Sequence, residues 1–317
     1  MNFKNVQQKI SEDLINSNSS IFRGDKAGAK FRGISRDFVL MNGLNNLFEP
    51  IEKDVINYFK WNKISWWGGY RPTGHVLSSQ IACLNHLFLI RNDKAAVLTL
   101  LQNIDKNFVD VLEIVTDKYN PAFIQFESTS DYDHLNEGIP TRGNNCTSID
   151  ALIYAVHTDQ SKWLIPIEWK YTEHYSNQDK ALEGENNCKG EVRKGRYTNL
   201  INTSNQLKNT DHSCFYFEPF YQLMRQTLWA EQMILNKSEE SLKADNFFHV
   251  HVIPSNNYSL LEKKYKCSGK NMEETWRSHL IDQSKYQKIT PERLLSGIPE
   301  SKYSELLGYL KERYWKF

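Results

Sequence analysis

Ile165-Pro166-Ile167-Glu168-Trp169-Lys170-Tyr171, with Ser148-Ile149-Asp150 upstream of it, alternates in character. Ile165, Ile167, Trp169 and Tyr171 are apolar or aromatic, and Pro166, Glu168, Lys170 and Thr172 lie between them. A strand with a period of two puts Glu168 and Lys170 on one face, next-but-one neighbours roughly 7 Å apart. Asp150 precedes Glu168 by 18 positions, room for a strand, a turn and a return. His157-Thr158-Asp159-Gln160-Ser161 has turn composition, so an antiparallel hairpin is expected. Two carboxylates and an ammonium on adjacent strands form a metal-and-nucleophile arrangement.

Downstream of the hairpin, the pattern predicts a helix over about 219–235, with Pro219 in its first turn. Gln222, Gln226 and Trp229 share one stripe at spacings of four and three, while Phe220, Leu223, Thr227 and Leu228 form much of the other. Phe247 to Pro254 reads as a short alternating strand, with Phe247, His249, His251 and Ile253 on one side. His249 and His251 share a face without a third ligand nearby and read as core or edge histidines. Upstream, Phe123 to Glu127 reads as a strand, and 129–146 as a long polar loop. Asp131, Asp133 and Glu137 in that loop do not follow the Ca²⁺-loop ligand series.

The first third reads as helical. Ile51, Val55 and Phe59 recur every four residues after Pro50; a serine at 78–79 caps a second helix carrying Ile81, Leu84 and Leu87. A third helix is expected from about Lys94 to Lys118, on the spacing of Leu101, Ile104, Phe108, Leu112 and Val115. Residues 1 to about 35 suggest a short helix and then a loosely ordered basic stretch with Lys26, Lys30, Arg32 and Arg36. The polar segment at about 174–211 contains Lys189, Arg193, Lys194 and Arg196, either phosphate contacts or a solvated charged loop. The tail, 270–317, reads as helical and aromatic. These features divide the chain into an N-terminal helical extension (1–60), a core (61–255) with the polar insertion, and a helical C-terminal extension (256–317) packed on the core.

The composition permits this reading without pointing to it. With 317 residues, 40% hydrophobic and 24% charged, the chain buries a core of ordinary size. A net charge of +1 argues against a general polyanion coat, though not against a local channel. The five cysteines are scattered, odd in number and without CxxC, so neither a disulfide framework nor a zinc knuckle is expected, and a reducing cytoplasm fits. Neither a signal peptide nor a membrane span is apparent. No Gly-x-Ser-x-Gly elbow suggests a serine hydrolase.

The order helix, strand, strand with Asp150, strand with Glu168-Trp169-Lys170, glutamine helix, strand resembles the PD-(D/E)XK nuclease superfamily. Ile149 stands where the family name has Pro. Ser78-Ser79-Gln80, Thr147-Ser148-Ile149-Asp150, Ile167-Glu168-Trp169-Lys170-Tyr171-Thr172-Glu173 and Tyr221-Gln222-Leu223-Met224-Arg225-Gln226 are similar to an uncharacterised bacterial family of restriction-type endonucleases. The resemblance covers roughly 60–255. It implies an α/β fold, a restriction-endonuclease-like mixed β-sheet flanked by helices. It further implies a DNA endonuclease using Mg²⁺, with Mn²⁺ as substitute. Asp150 and Glu168 would hold the ion with the Trp169 carbonyl, and Lys170 would orient or deprotonate a water.

Gln222 and Gln226 then resemble the fourth motif of the recombination branch, where a Gln is followed four residues later by Tyr; Gln226 stands in that second place. Gln80 occupies a position that often carries a supporting helix-borne acid, and Glu127 is a further metal-ligand candidate. The alternatives are a repair or recombination exonuclease and an inactive DNA-binding protein of the same fold. Cleavage of two strands commonly uses two active sites, which leaves room for a homodimer.

Overall fold

The computed structural model describes residues 2–115, 121–143, 146–184, 188–210 and 213–316. In chain order the elements are α1 (Phe3–Asn16), β1 (Lys30–Phe31), β2 (Ile34–Ser35), α2 (Glu52–Trp61), α3 (Ser79–Leu87), α4 (Lys94–Ile104), β3 (Phe108–Leu112), β4 (Ile124–Ser128), β5 (Ile149–His157) and β6 (Lys162–Trp169). They continue with α5 (Lys189–Thr203), α6 (Phe220–Leu235), β7 (Asn246–Phe247), β8 (His249–Val252), α7 (Tyr258–Leu261), α8 (Met272–Ser278), β9 (Tyr286–Ile289), α9 (Pro291–Leu294) and α10 (Glu300–Arg313).

β3 to β9 form one mixed sheet in the order β3-β5-β6-β8-β9, with β4 also on β5 and β7 also on β6. β5 and β6 are the antiparallel hairpin, and β8 and β9 run parallel to β6. Alternation along the strands sends side chains to two separate cores. Ile153, Ile165, Ile167, Trp169, Val250 and Val252 pack against α1–α4 and α10. Leu152, Tyr154, Leu164 and Phe247 pack against α5, α6 and α8. The result is a helix–sheet–helix sandwich, the mixed α/β architecture of a restriction-endonuclease-like core.

Several elements differ from the sequence expectation. The third helix stops at Ile104, and Phe108–Leu112 is a strand paired with β5. Phe108, Leu112 and Val115 keep a helical spacing, but Val109 and Val111 favour a pleated surface, and Asp105 leaves the helix in an extended conformation. Residues 116–118 of the expected helix lie outside the described residues. The basic stretch near the start carries a short hairpin, β1–β2, whose turn residues Arg32 and Gly33 take φ of +52° and +80°. The polar insertion contains α5, and the tail adds β9 to the sheet as well as helices.

The cysteines also depart from expectation: Cys214 and Cys267 form a disulfide with Cα atoms 5.6 Å apart. Folding brings the segments before α6 and after α7 together, which a separation of 53 residues conceals. Cys83, Cys146 and Cys188 are free. Among the described residues no helix is long and apolar enough to cross a membrane.

Candidate active site

The register of the sheet aligns the acidic residues. Ala151 pairs with Ile167 across β5–β6 and with Phe126 across β4–β5. The next position on each ladder therefore sets Asp150 opposite Glu168 on one side and Glu127 on the other. Glu168 is in turn opposite His251 on β8. Three carboxylates thus stand in a row across three neighbouring strands. At Glu127 the backbone adopts φ of +50°, an uncommon conformation for a residue with a side chain.

Each carboxylate has its own support. Glu127 accepts from Gln80 Nε2 at 2.6 Å and from Ser148 Oγ at 3.0 Å. Asp150 Oδ2 accepts the Trp169 backbone N–H at 2.7 Å, where the β5–β6 ladder ends. Glu168 accepts from Lys170 Nζ at one oxygen and from Gln226 Nε2 at the other. Lys170 also donates to Gln222 Oε1. Both sequence-predicted glutamines of α6 therefore reach the Glu168–Lys170 pair. Trp229, on the same stripe, is instead buried in the core beneath.

Gln226 spends its amide N–H on Glu168, so its carbonyl is left to accept. His249 Nε2, 3.0 Å away, must therefore carry the proton, and Nδ1 accepts from Thr227 Oγ1. Burial lowers the His249 pKa to about 4, which keeps the ring neutral. His249 is thus the buried, satisfied histidine that the sequence reading of a core or edge residue expected, and it holds the carbonyl of Gln226.

The charges are out of balance. Burial raises the pKa of Asp150 well above the usual carboxylate range, and the negative charges of Glu168 and Glu127 raise it further. Burial also raises Glu127, against the hydrogen bonds from Gln80 and Ser148 and the field of Arg142. For Lys170 burial acts downward, but Glu168, Tyr175, Glu173 and Asp150 outweigh it and its pKa rises. Lys170 is a held cation here. Glu168 and Lys170 are only 3% and 4% exposed.

These groups form the floor of a cleft of about 610 Å³. Its cationic lining includes Lys4, Arg32 and Arg225. Arg225, which sequence reasoning passed over, pairs with buried Glu137 at 3.0 Å and binds Thr147, tying the polar loop to α6. Its signal was available, because it lies one helical turn from Gln222 and from Trp229.

None of Lys189, Arg193, Lys194 and Arg196 lines the cleft. Arg193 is bonded to Glu183 and to the Lys180 carbonyl, and Lys194 to Glu191. Lys189 is exposed and Arg196 half-buried on α5.

The oxygen donors of the row suit a hard divalent cation. Among the described residues no three Asp, Glu, His or Cys side chains gather into an all-protein cage.

The family model described as restriction endonuclease associating with ARP matches residues 8–315. The chain belongs to this restriction-endonuclease family. The match takes in both ends, so α1 and α10 are part of the family's unit along with the sheet. No curated protein and no solved structure matches the chain. In this restriction-type nuclease the hairpin, the glutamine helix and β8 all converge on the Glu168–Lys170 pair.

Proposed function

We propose that this restriction-type nuclease hydrolyses DNA phosphodiester bonds, and that its site is of the PD-(D/E)XK kind. Asp150, Glu168 and the Trp169 carbonyl would hold Mg²⁺, or Mn²⁺ in its place, with Glu127 in support. The observation that carries this reading is the row of three carboxylates facing one internal ammonium. Such a surplus of buried negative charge is costly unless a cation offsets it. A divalent ion supplies charge neutralisation at a phosphate and a lower pKa for an attacking water.

The protein's own groups have separable tasks. Lys170, held protonated, offsets negative charge on the phosphate as the leaving oxygen departs, and orients water through its remaining N–H. In this state it is an electrostatic group and not the general base. Gln226 and His249 fix the rotamer of Glu168, and Gln222 fixes that of Lys170. Gln80 and Ser148 hold Glu127 beside Asp150.

The test is cleavage of supercoiled and linear DNA, both modified and unmodified, with Mg²⁺, Mn²⁺ or EDTA. Wild type is expected to nick closed circles with either metal and to stop in EDTA, and Lys170→Met to lose about 100-fold or more in rate. Activity confined to free ends would favour the repair-exonuclease reading. No cleavage with any divalent ion, or full activity in Lys170→Met, would defeat the assignment.

A further inference from the structure

A second wall of the same cleft is aromatic. Phe31 of β1 stacks on Trp67, with centroids 5.3 Å apart and planes 29° apart. His75 lies 4.6 Å from Phe31 and 5.8 Å from Trp67, and all three line the cleft. Trp67 remains 43% exposed, and Tyr70, just beyond the Gly68-Gly69 turn, is wholly exposed. Burial, together with Lys4, Arg32 and Arg36, lowers the His75 pKa to about 4, so this wall is uncharged at neutral pH.

The wall is fixed to the catalytic row and edged with positive charge. Trp67 N–H donates to Gln80 Oε1 at 3.0 Å, and the same Gln80 donates to Glu127. Arg32 lies over the Phe31 ring at 5.4 Å. It occupies a left-handed turn position where Asn or Gly would be at ease, a strain that functional sites commonly retain. Lys4 and Arg32 both line the cleft.

The dimensions indicate what enters. A cleft of about 610 Å³ takes in a nucleotide or two, and any longer strand or duplex would continue at its mouth. Glu168 and Lys170 lie at its floor, so the phosphodiester has to come inside. A paired base is already stacked on both of its neighbours and has no face to offer, whereas an unpaired base can stack on an exposed indole. We propose that the substrate segment taken by this cleft is an unpaired DNA strand, with a base stacked on the Trp67–Phe31 wall and its phosphates tracked by Lys4 and Arg32. This rests on the nuclease reading above and narrows its substrate to single-stranded, frayed or base-extruded DNA.

Fluorescence anisotropy of the full chain with Ca²⁺ in place of Mg²⁺ tests it, using labelled oligo-dT and a duplex of equal length. Oligo-dT is expected to bind at least tenfold more tightly than the duplex. Trp67→Ala should weaken oligo-dT binding about tenfold and leave duplex binding unchanged, and Trp67→Phe should restore most of the loss. Arg32→Ala should weaken oligo-dT binding and reduce its salt slope by about 0.7. As a readout that does not depend on the alanine variant folding, oligo-dT should quench tryptophan emission more in wild type than in Trp67→Phe. Equal or tighter duplex binding, or unchanged oligo-dT binding in Trp67→Ala with equal quenching in Trp67→Phe, overturns the proposal. Binding is measured apart from cleavage. Oligo-dT binding without hydrolysis would therefore count against the nuclease reading alone, and cleavage of intact duplex by Trp67→Ala at the wild-type rate against this proposal alone.

Discussion

Asp150→Asn should make the metal-free protein more stable while abolishing its response to Mg²⁺. Asp150 stands between Glu168 and Glu127, and opposed side chains on adjacent strands have Cβ atoms about 5 Å apart. Two unit charges at that separation repel by about 3 kcal/mol at an effective dielectric of about 20. Lys170 and partial protonation relieve part of this, leaving about 1–3 kcal/mol to be gained by neutralising the central member. The sign follows from the raised pKa. The folded state binds the Asp150 proton more tightly than the unfolded chain does, so the charge costs stability at pH 7, and the cost is recovered as pH falls through the raised pKa. Asparagine retains an oxygen for the Trp169 N–H, so the strand end stays anchored.

The melting temperature in EDTA should rise by roughly 1.5–4.5 °C. Mg²⁺ at ten times its Kd should add about 1.4 kcal/mol to wild type and nothing to the variant. Calorimetry of both proteins in EDTA and in MgCl₂, beside a cleavage assay, reads all of these. A variant less stable than wild type in EDTA, or stabilised equally by Mg²⁺, refutes the charge argument.

Two further outcomes follow from the hydrogen-bond network and the buried rings. Gln226→Leu removes the amide that joins Glu168 to His249 and should raise the Mg²⁺ concentration needed for half-maximal cleavage by about 10- to 100-fold; an unchanged Mg²⁺ titration would count against the positioning role. Burial lowers the pKa of His249 to about 4 and of His86 to about 3, so stability present above about pH 6.5 should fall on acidification toward those values. The unfolded chain takes up protons that these rings refuse, at up to about 1.4 kcal/mol per pH unit for each. Urea titrations of wild type and His86→Gln at pH 7, 6 and 5 separate the ring's share from the opposing gain at Asp150, and equal pH slopes in the two proteins would show that the ring protonates in place.

The hairpin, the glutamine helix and the residues sharing the Glu168–Lys170 face were legible in the sequence, because period two and period 3.6 are local properties. What pairs with what was not. Glu127 could be seen as a carboxylate at a strand end, but its place beside Asp150 depends on the β4–β5 register, which no local pattern encodes. Phe108 to Leu112 deceived for the converse reason: a helical spacing of apolar residues also serves a strand with one covered face. The basic cluster on α5 was conspicuous as a run, yet Arg193 and Lys194 turn to Glu183 and Glu191, and none of the four lines the cleft. Arg225, the one basic residue of the largely apolar α6, lines the cleft. Isolated charges in apolar surroundings carried more information here than clustered ones, since an isolated charge must find a partner when it is buried.

The two ends of the chain acquire a role from the same alternation that defines the site. Trp169 and Tyr171 point away from Glu168 and Lys170, into the opposite core. There the Tyr171 hydroxyl donates to Gln7 of α1 at 2.8 Å, and Gln7 binds the Lys316 carbonyl. Trp169 lies 4.7 Å from the His86 ring, which accepts from Trp315 Nε1 at 3.2 Å. Asn85, beside His86, holds Tyr309 and Tyr314 at 3.1 and 2.9 Å. One face of the sheet thus carries a row of like charges across β4, β5 and β6 that favours opening, and the other face of β6 is clamped by both ends of the chain. Packing on the apolar face supplies the stability that the charged face lacks, and it fixes the backbone from which Glu168 and Lys170 project. The family match from residue 8 to 315 takes in both of these clamping ends as well as the strand that carries the Glu168–Lys170 pair.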